Sequence, residues 1–265
     1  MAILVLILAL VVIATVGIGL LGYRVIPARF GGPTTWGRAI ALRLGSVAGA
    51  ATVAIGGWLV IIAVMLPVGW LAKASLATVD QPIYNWIHGV VKPSAFTKFN
   101  AYFTVLGDRS MTYLLCATAI VILAFAYRQR WWVPVVALVV ALTAQLNGQN
   151  LLATIINRSL PPVTNAGTFP SGGVSRPMIV FGITLMLVLL LFPQLSHRWQ
   201  AGLWIGVITY IVVEAFTRLY LSLHWLTDDL AGLLFGGMLL LVFTTATAAL
   251  STRTARLVGR SRQLT

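Results

Sequence analysis

Apolar residues fall in long blocks separated by short polar punctuation, and the blocks have the length of membrane spans. Residues 3–22 carry no charge, a second block covers about 45–71, and a third opens after Gly107-Asp108-Arg109-Ser110 and reaches about 127. A fourth follows Trp131-Trp132 and ends near 156, and three more cover roughly 174–192, 201–222 and 230–250. A helix needs about 20 apolar residues to cross hydrocarbon, so the pattern predicts seven transmembrane helices. Between the second and third blocks, residues 73–100 are moderately polar, and Ile83, Trp86, Ile87 and Val90 recur at helical spacing. That spacing predicts an amphipathic segment along the interface, with His88 on its surface. The pairs Gly45/Gly49 and Gly232/Gly236 read as small-residue helix contacts, and Gln145, Asn147, Gln149 and Asn150 as polar ties between spans.

The expected fold class is therefore all-α: a polytopic membrane bundle, a six-helix core region preceded by an N-terminal span. The expected divisions are 1–44 (span and basic linker), 45–250 (membrane domain) and 251–265 (basic tail).

Composition sharpens this picture. The 265 residues are 59% hydrophobic and 9% charged, a balance that excludes a soluble domain. A net charge of +13 would suggest nucleic acid in a soluble protein. Here most of the basic charge lies in short loops and the tail, where it orients the chain and meets anionic lipid, and no nucleic-acid partner is expected. No positive charge precedes the first apolar block, so it reads as a retained span rather than a signal peptide. With Arg24, Arg29, Arg38, Arg43, Arg128, Arg130, Arg198 and the tail arginines inside, the 157–173 loop and the 223–229 turn share the outer face. Cys116 is alone in an apolar run and reads as a packing residue.

The candidate chemistry sits at the end of the sixth block. Arg218, His224 and Asp228 place a guanidinium, an imidazole and a carboxylate beside hydrocarbon, where charge is costly without a function. If a helix restarts near His224, Asp228 stacks beneath it, fixes its tautomer and leaves the other nitrogen as a nucleophile. Arg218 offers a planar fork of donors to phosphate oxygens. Glu214, one turn earlier, reads as its ion-pair partner, and Asp229 as helix N-terminal charge. Ser171 and Gly172, in Pro170-Ser171-Gly172-Gly173, precede the fifth block, whose helix N-terminus would suit an anion. Asp108 reads as an N-cap. No carboxylate or histidine cluster has divalent-metal spacing, and no cofactor is expected.

The run Arg218-x5-His224-x3-Asp228 resembles the third signature of the type-2 phosphatidic acid phosphatase superfamily, which includes the vanadium haloperoxidases. The family's second signature is Pro-Ser-Gly-His, and here Gly173 stands in the histidine's place. Its first is Lys-x6-Arg-Pro, whose best register here runs from Ala153 to Leu160-Pro161. The resemblance spans roughly residues 75–250. It implies a phosphohistidine formed at His224, oriented by Asp228, with phosphate bound by Arg218, Ser171 and Gly172. Arg176 and Arg158 are candidates to replace the missing cations, against plain readings as a snorkelling arginine and a loop charge. The implied partners are membrane lipids, the substrate a lipid phosphate or diphosphate, and the location a multi-pass protein of a bacterial plasma membrane. Without an acid at position 173, diphosphates should outpace monoesters, and Gly173→His should restore monoester turnover. The rival readings are an impaired member that binds or scaffolds lipid phosphates, and a lipid phosphate transporter.

Overall fold

The computed structural model describes residues 32–164 and 169–252. The proposed first span at 3–22, Arg24, Arg29 and the tail arginines lie outside the described residues. Nine α-helices form, and no strand is present among the described residues: α1 (Pro33–Leu44), α2 (Ser46–Ala74), α3 (Gln81–Val90), α4 (Ala95–Phe103), α5 (Arg109–Ala126), α6 (Trp132–Ile156), α7 (Gly172–Leu191), α8 (His197–Tyr220) and α9 (Leu226–Ser251). Six of them, α2 and α5 to α9, are long and apolar enough to cross a membrane. The chain is a multi-pass membrane protein built on helices. Side chains such as Leu59, Leu71 and Phe125 are exposed on the flanks, as expected where the outer solvent is lipid.

Helices α7 and α9 are the innermost, and their contact depends on small residues. A Cβ at Gly232 would press on Ser171, and one at Gly236 on Ser175 and Met178. The α9 backbone thereby comes close to the start of α7. The spans are tied by a few internal polar bonds. Trp58 Nε1 donates to Ala144 O at 2.9 Å, and Gln145 Nε2 donates to Ser175 Oγ at 2.9 Å. Such bonds fix rotation between helices whose surfaces are otherwise largely apolar.

Two expectations change. Residues 33–44 form a helix rather than a linker: Gly37 packs directly on the Thr245 and Ala248 turn of α9. Gly45 is not a helix-packing residue, because it is the turn between α1 and α2 with φ 86°, a conformation that suits glycine. Gly49 alone makes that contact, against Ile40 and Ala41. The 73–100 stretch becomes a π-helical turn (Leu76–Asp80) followed by α3 and α4, with His88 stacked on Tyr84.

Candidate active site

Among the described residues the chain returns three times to one end of the bundle, and local devices fix the second and third returns. Helix α6 ends at Asn157 in the left-handed conformation (φ 45°), and Lys73 Nζ takes the Ile156 carbonyl at 2.7 Å. That turn sends Arg158 inward. Helix α8 ends in a turn through Ser222, also left-handed (φ 59°), which carries His224 back over the bundle. Ser171 N donates to Asp228 O at 2.9 Å, joining the start of α7 to the start of α9.

Asp228 is the third residue of α9, and its Oδ2 accepts from Trp225 N at 3.4 Å. His224 therefore lies before the helix, and its approach to Asp228 comes from the cap turn rather than from helical stacking. Nδ1 stands 4.0 Å from Asp228 Oδ2 and has no hydrogen-bond partner. Burial, helped by the Arg218 and Arg176 guanidiniums, holds the imidazole down at about 3. A neutral ring at that distance makes neither an ion pair nor a hydrogen bond. A closure of about 1 Å would let Nδ1 donate to Asp228 and leave Nε2 as a free lone pair.

Asp228 has a second support that the sequence did not reveal. The Arg158 guanidinium bridges Asp228 Oδ1 and Asp80 Oδ2, with its side chain only 2% exposed. Asp80 also accepts from Thr227 N at 2.9 Å and from Thr227 Oγ1 at 2.7 Å. Both outer nitrogens of Arg158, the expected phosphate ligand, thus donate to carboxylates and hold Asp228.

Over the glycine pair lie two further guanidiniums. A Cβ at Gly172 would fall on Arg176 Nη1, and a Cβ at Gly173 on the Arg218 guanidinium. A side chain at position 173, the histidine of Gly173→His included, therefore requires the Arg218 guanidinium to move aside. Arg218 Nε donates to Glu214 Oε1 at 2.8 Å, and Nη2 to Asp108 Oδ1 at 3.1 Å and Thr104 O at 3.2 Å. The Glu214 pairing is the expected one. Asp108 stands at the N-cap position of α5, but its side chain makes no capping bond and meets Arg218 instead. Arg176 donates only to neutral acceptors, Gln149 Oε1 at 3.2 Å and Gly107 O at 3.4 Å, and its Nε is unpartnered. Two cations over the free N–H groups of a helix start make a strongly anion-attracting bowl.

Ser171, Gly172, Arg176, Glu214, Arg218, His224 and Asp228 are all buried at this end. The residues that sequence reasoning missed are Asp80 and the Arg218-bound role of Asp108. A groove of about 380 Å³ leads away from Thr227 between α2 and α9, lined by Val68, Leu71, Ala72, Leu230, Ala231 and Leu234. A larger cavity of about 760 Å³ lies at the other end of the bundle, between Arg38, Pro193 and Trp204, and none of the candidate residues lines it.

The architecture is similar to the crystal structure of a transmembrane PAP2 type phosphatidylglycerolphosphate phosphatase from Bacillus subtilis, with a TM-score of 0.56. The likeness covers 82% of this chain and 97% of that one. The chain has the PAP2-type transmembrane fold. Identity over the PAP2 match is 18%, so the likeness is one of architecture. No family model matches the sequence, and no curated protein does.

Proposed function

We propose that this PAP2-fold protein is a membrane phosphatase acting on a lipid phosphate or diphosphate through a phosphohistidine at His224. The observation that carries it is the pairing of a buried, neutral imidazole with a fixed carboxylate on one side and a two-guanidinium bowl nearby. The phosphoryl group binds over Gly172 and Gly173, where Arg218, Arg176 and the helix N-terminus take its oxygens. Nε2 of His224 attacks phosphorus as Nδ1 passes its developing charge to Asp228, which Arg158 and Asp80 keep in place. Water then cleaves the P–N bond. The apolar groove leading from Thr227 suits a hydrocarbon tail, which favours a lipid substrate over a soluble one.

The site is assigned to the extracytoplasmic face because Arg38, Arg43, Arg128, Arg130 and Arg198 belong to the opposite ends of the spans. A Val163→Cys variant in a Cys116→Ala background should then react with an impermeant thiol reagent added to intact cells.

The decisive assay measures phosphate release by the purified chain from lipid monophosphates and diphosphates, beside His224→Ala. Turnover lost in the variant supports the reading, and turnover kept in it rules out the phosphohistidine. A second reading draws on position 173, where glycine offers no acidic side chain and the Arg218 guanidinium lies in its place. It makes the protein a lipid phosphate binder without turnover, and vesicle binding with no release of phosphate would select it.

A further inference from the structure

A buried carboxyl beside the bowl has no role in the chemistry described so far. Asp229 is 3% exposed, and neither of its oxygens has a hydrogen-bond partner. Its position on α9 sets its direction. Residues 229, 232 and 236 share one helical face, and Gly232 and Gly236 press that face onto Ser171 and Ser175 of α7. Asp228, one residue earlier, points instead to Arg158. The two adjacent carboxyls thus serve different walls of the site.

The Ser171 hydroxyl at the start of α7 faces Asp229, and Arg218, Glu214 and Asp228 are the charged groups that bear on that carboxyl. Two of those three are acidic, and a bound phosphate brings more negative charge. An ionised carboxylate buried with a neutral hydroxyl as its facing donor is far costlier than the neutral acid. The protonated carboxyl is the form that fits this position.

We propose that Asp229 is the general acid–base of this site, in place of the side chain that Gly173 lacks. The inference rests on the phosphatase reading and extends it to the substrate class. In the first step, Nε2 of His224 forms a bond to phosphorus and the P–O bond to the lipid breaks. The Asp229 proton passes to the departing oxygen, releasing the lipid alcohol. In the second step, the Asp229 carboxylate takes a proton from water as its oxygen attacks phosphorus. The P–N bond breaks, inorganic phosphate leaves, and both side chains return to their starting forms. An alkoxide no longer has to leave unprotonated, so lipid phosphomonoesters become substrates, and the diphosphate preference expected from Gly173 disappears.

The test uses the full chain in detergent, comparing the wild type with Asp229→Asn on phosphatidate and on p-nitrophenyl phosphate. The readout is kcat/KM, which reports events up to loss of the leaving group. Nitrophenolate needs no proton to depart. The expected result is a fall of about 10²–10⁴-fold on phosphatidate and less than about tenfold on the nitrophenyl ester. The alkaline limb of the phosphatidate pH profile should also vanish. Because both substrates are read on one preparation, a partly unfolded variant would depress them equally. Equal losses, or no loss, with an active wild type would overturn the role of Asp229 alone. A wild type that turns over neither ester nor any lipid diphosphate would overturn the phosphatase reading with it.

Discussion

Replacing Arg158 with methionine separates the two roles open to that residue. Its guanidinium is the shared partner of Asp80 and Asp228, with side-chain exposures of 2%, 0% and 2% for the three residues. Removing one member of a buried ionic group costs about 3–5 kcal/mol, because the remaining charges stay buried. Asp80 keeps its two bonds from Thr227, whereas Asp228 keeps only the 3.4 Å bond from Trp225 N. The damage therefore falls mainly on the carboxylate that faces His224. For a chain of this size the cost corresponds to a thermal midpoint lowered by roughly 6–20 °C. The assay is thermal unfolding in detergent micelles, run beside binding of inorganic phosphate. A further Asp80→Asn change should cost less than its effect alone, with a coupling of about 0.5–3 kcal/mol. An unmoved midpoint together with lost phosphate binding would refute this reasoning and return Arg158 to the substrate.

Two further outcomes are expected. Gly173→Ala should displace Arg218 and depress phosphate binding nearly as far as Arg218→Ala, at an overpacking cost of about 1–3 kcal/mol. Gly202→Ala, with nothing within 4 Å of its Cβ, is the neutral control, and equal behaviour of the two alanine variants would show that Arg218 can move aside. The pH dependence follows from His224, whose folded value near 3 lies below the ordinary 6.5. The unfolded chain takes up that proton first as pH falls, so this contribution is whole above about pH 6.5 and is lost on the way down toward 3, by up to about 1.4 kcal/mol per pH unit. Unfolding midpoints measured over that window should lose the slope in His224→Gln, and an unchanged slope would assign it to another group.

Much of the bundle was legible because hydrocarbon writes itself into composition: a span must be apolar on nearly every side. Helix α1 escaped that signal, since it is short and mixed, and only Gly37 and Ala41 turn to the core. The Gly45 reading failed for a related reason: a small-residue spacing does not tell a helix face from a left-handed turn. In the site, the spacing of Arg218, His224 and Asp228 singled out side chains that the fold gathers at one end of the bundle, and the Glu214–Arg218 pair followed from one helical turn. Asp80 and Asp108 were not legible as partners. A lone carboxylate in a loop has no period, and its meaning arises only when Arg158 or Arg218 arrives from far along the chain. The two glycines were read as a turn missing a histidine, while their structural effect is the space they leave for guanidiniums.

The bonds of Asp80 also have a timetable. Its partners Arg158 and Thr227 lie 78 and 147 residues downstream. At ribosomal rates of about 5–20 residues per second, Asp80 waits roughly 4–16 s for the first and 7–29 s for the second. During that interval the nascent chain holds a carboxylate at the membrane surface with neither partner yet made. Helix α9 supplies the second partner and Asp228 in its first turn, and His224 comes just ahead of it. Until residues 218–228 have been synthesised, the glycine pair lacks the Arg218 guanidinium, and the proposed nucleophile is absent.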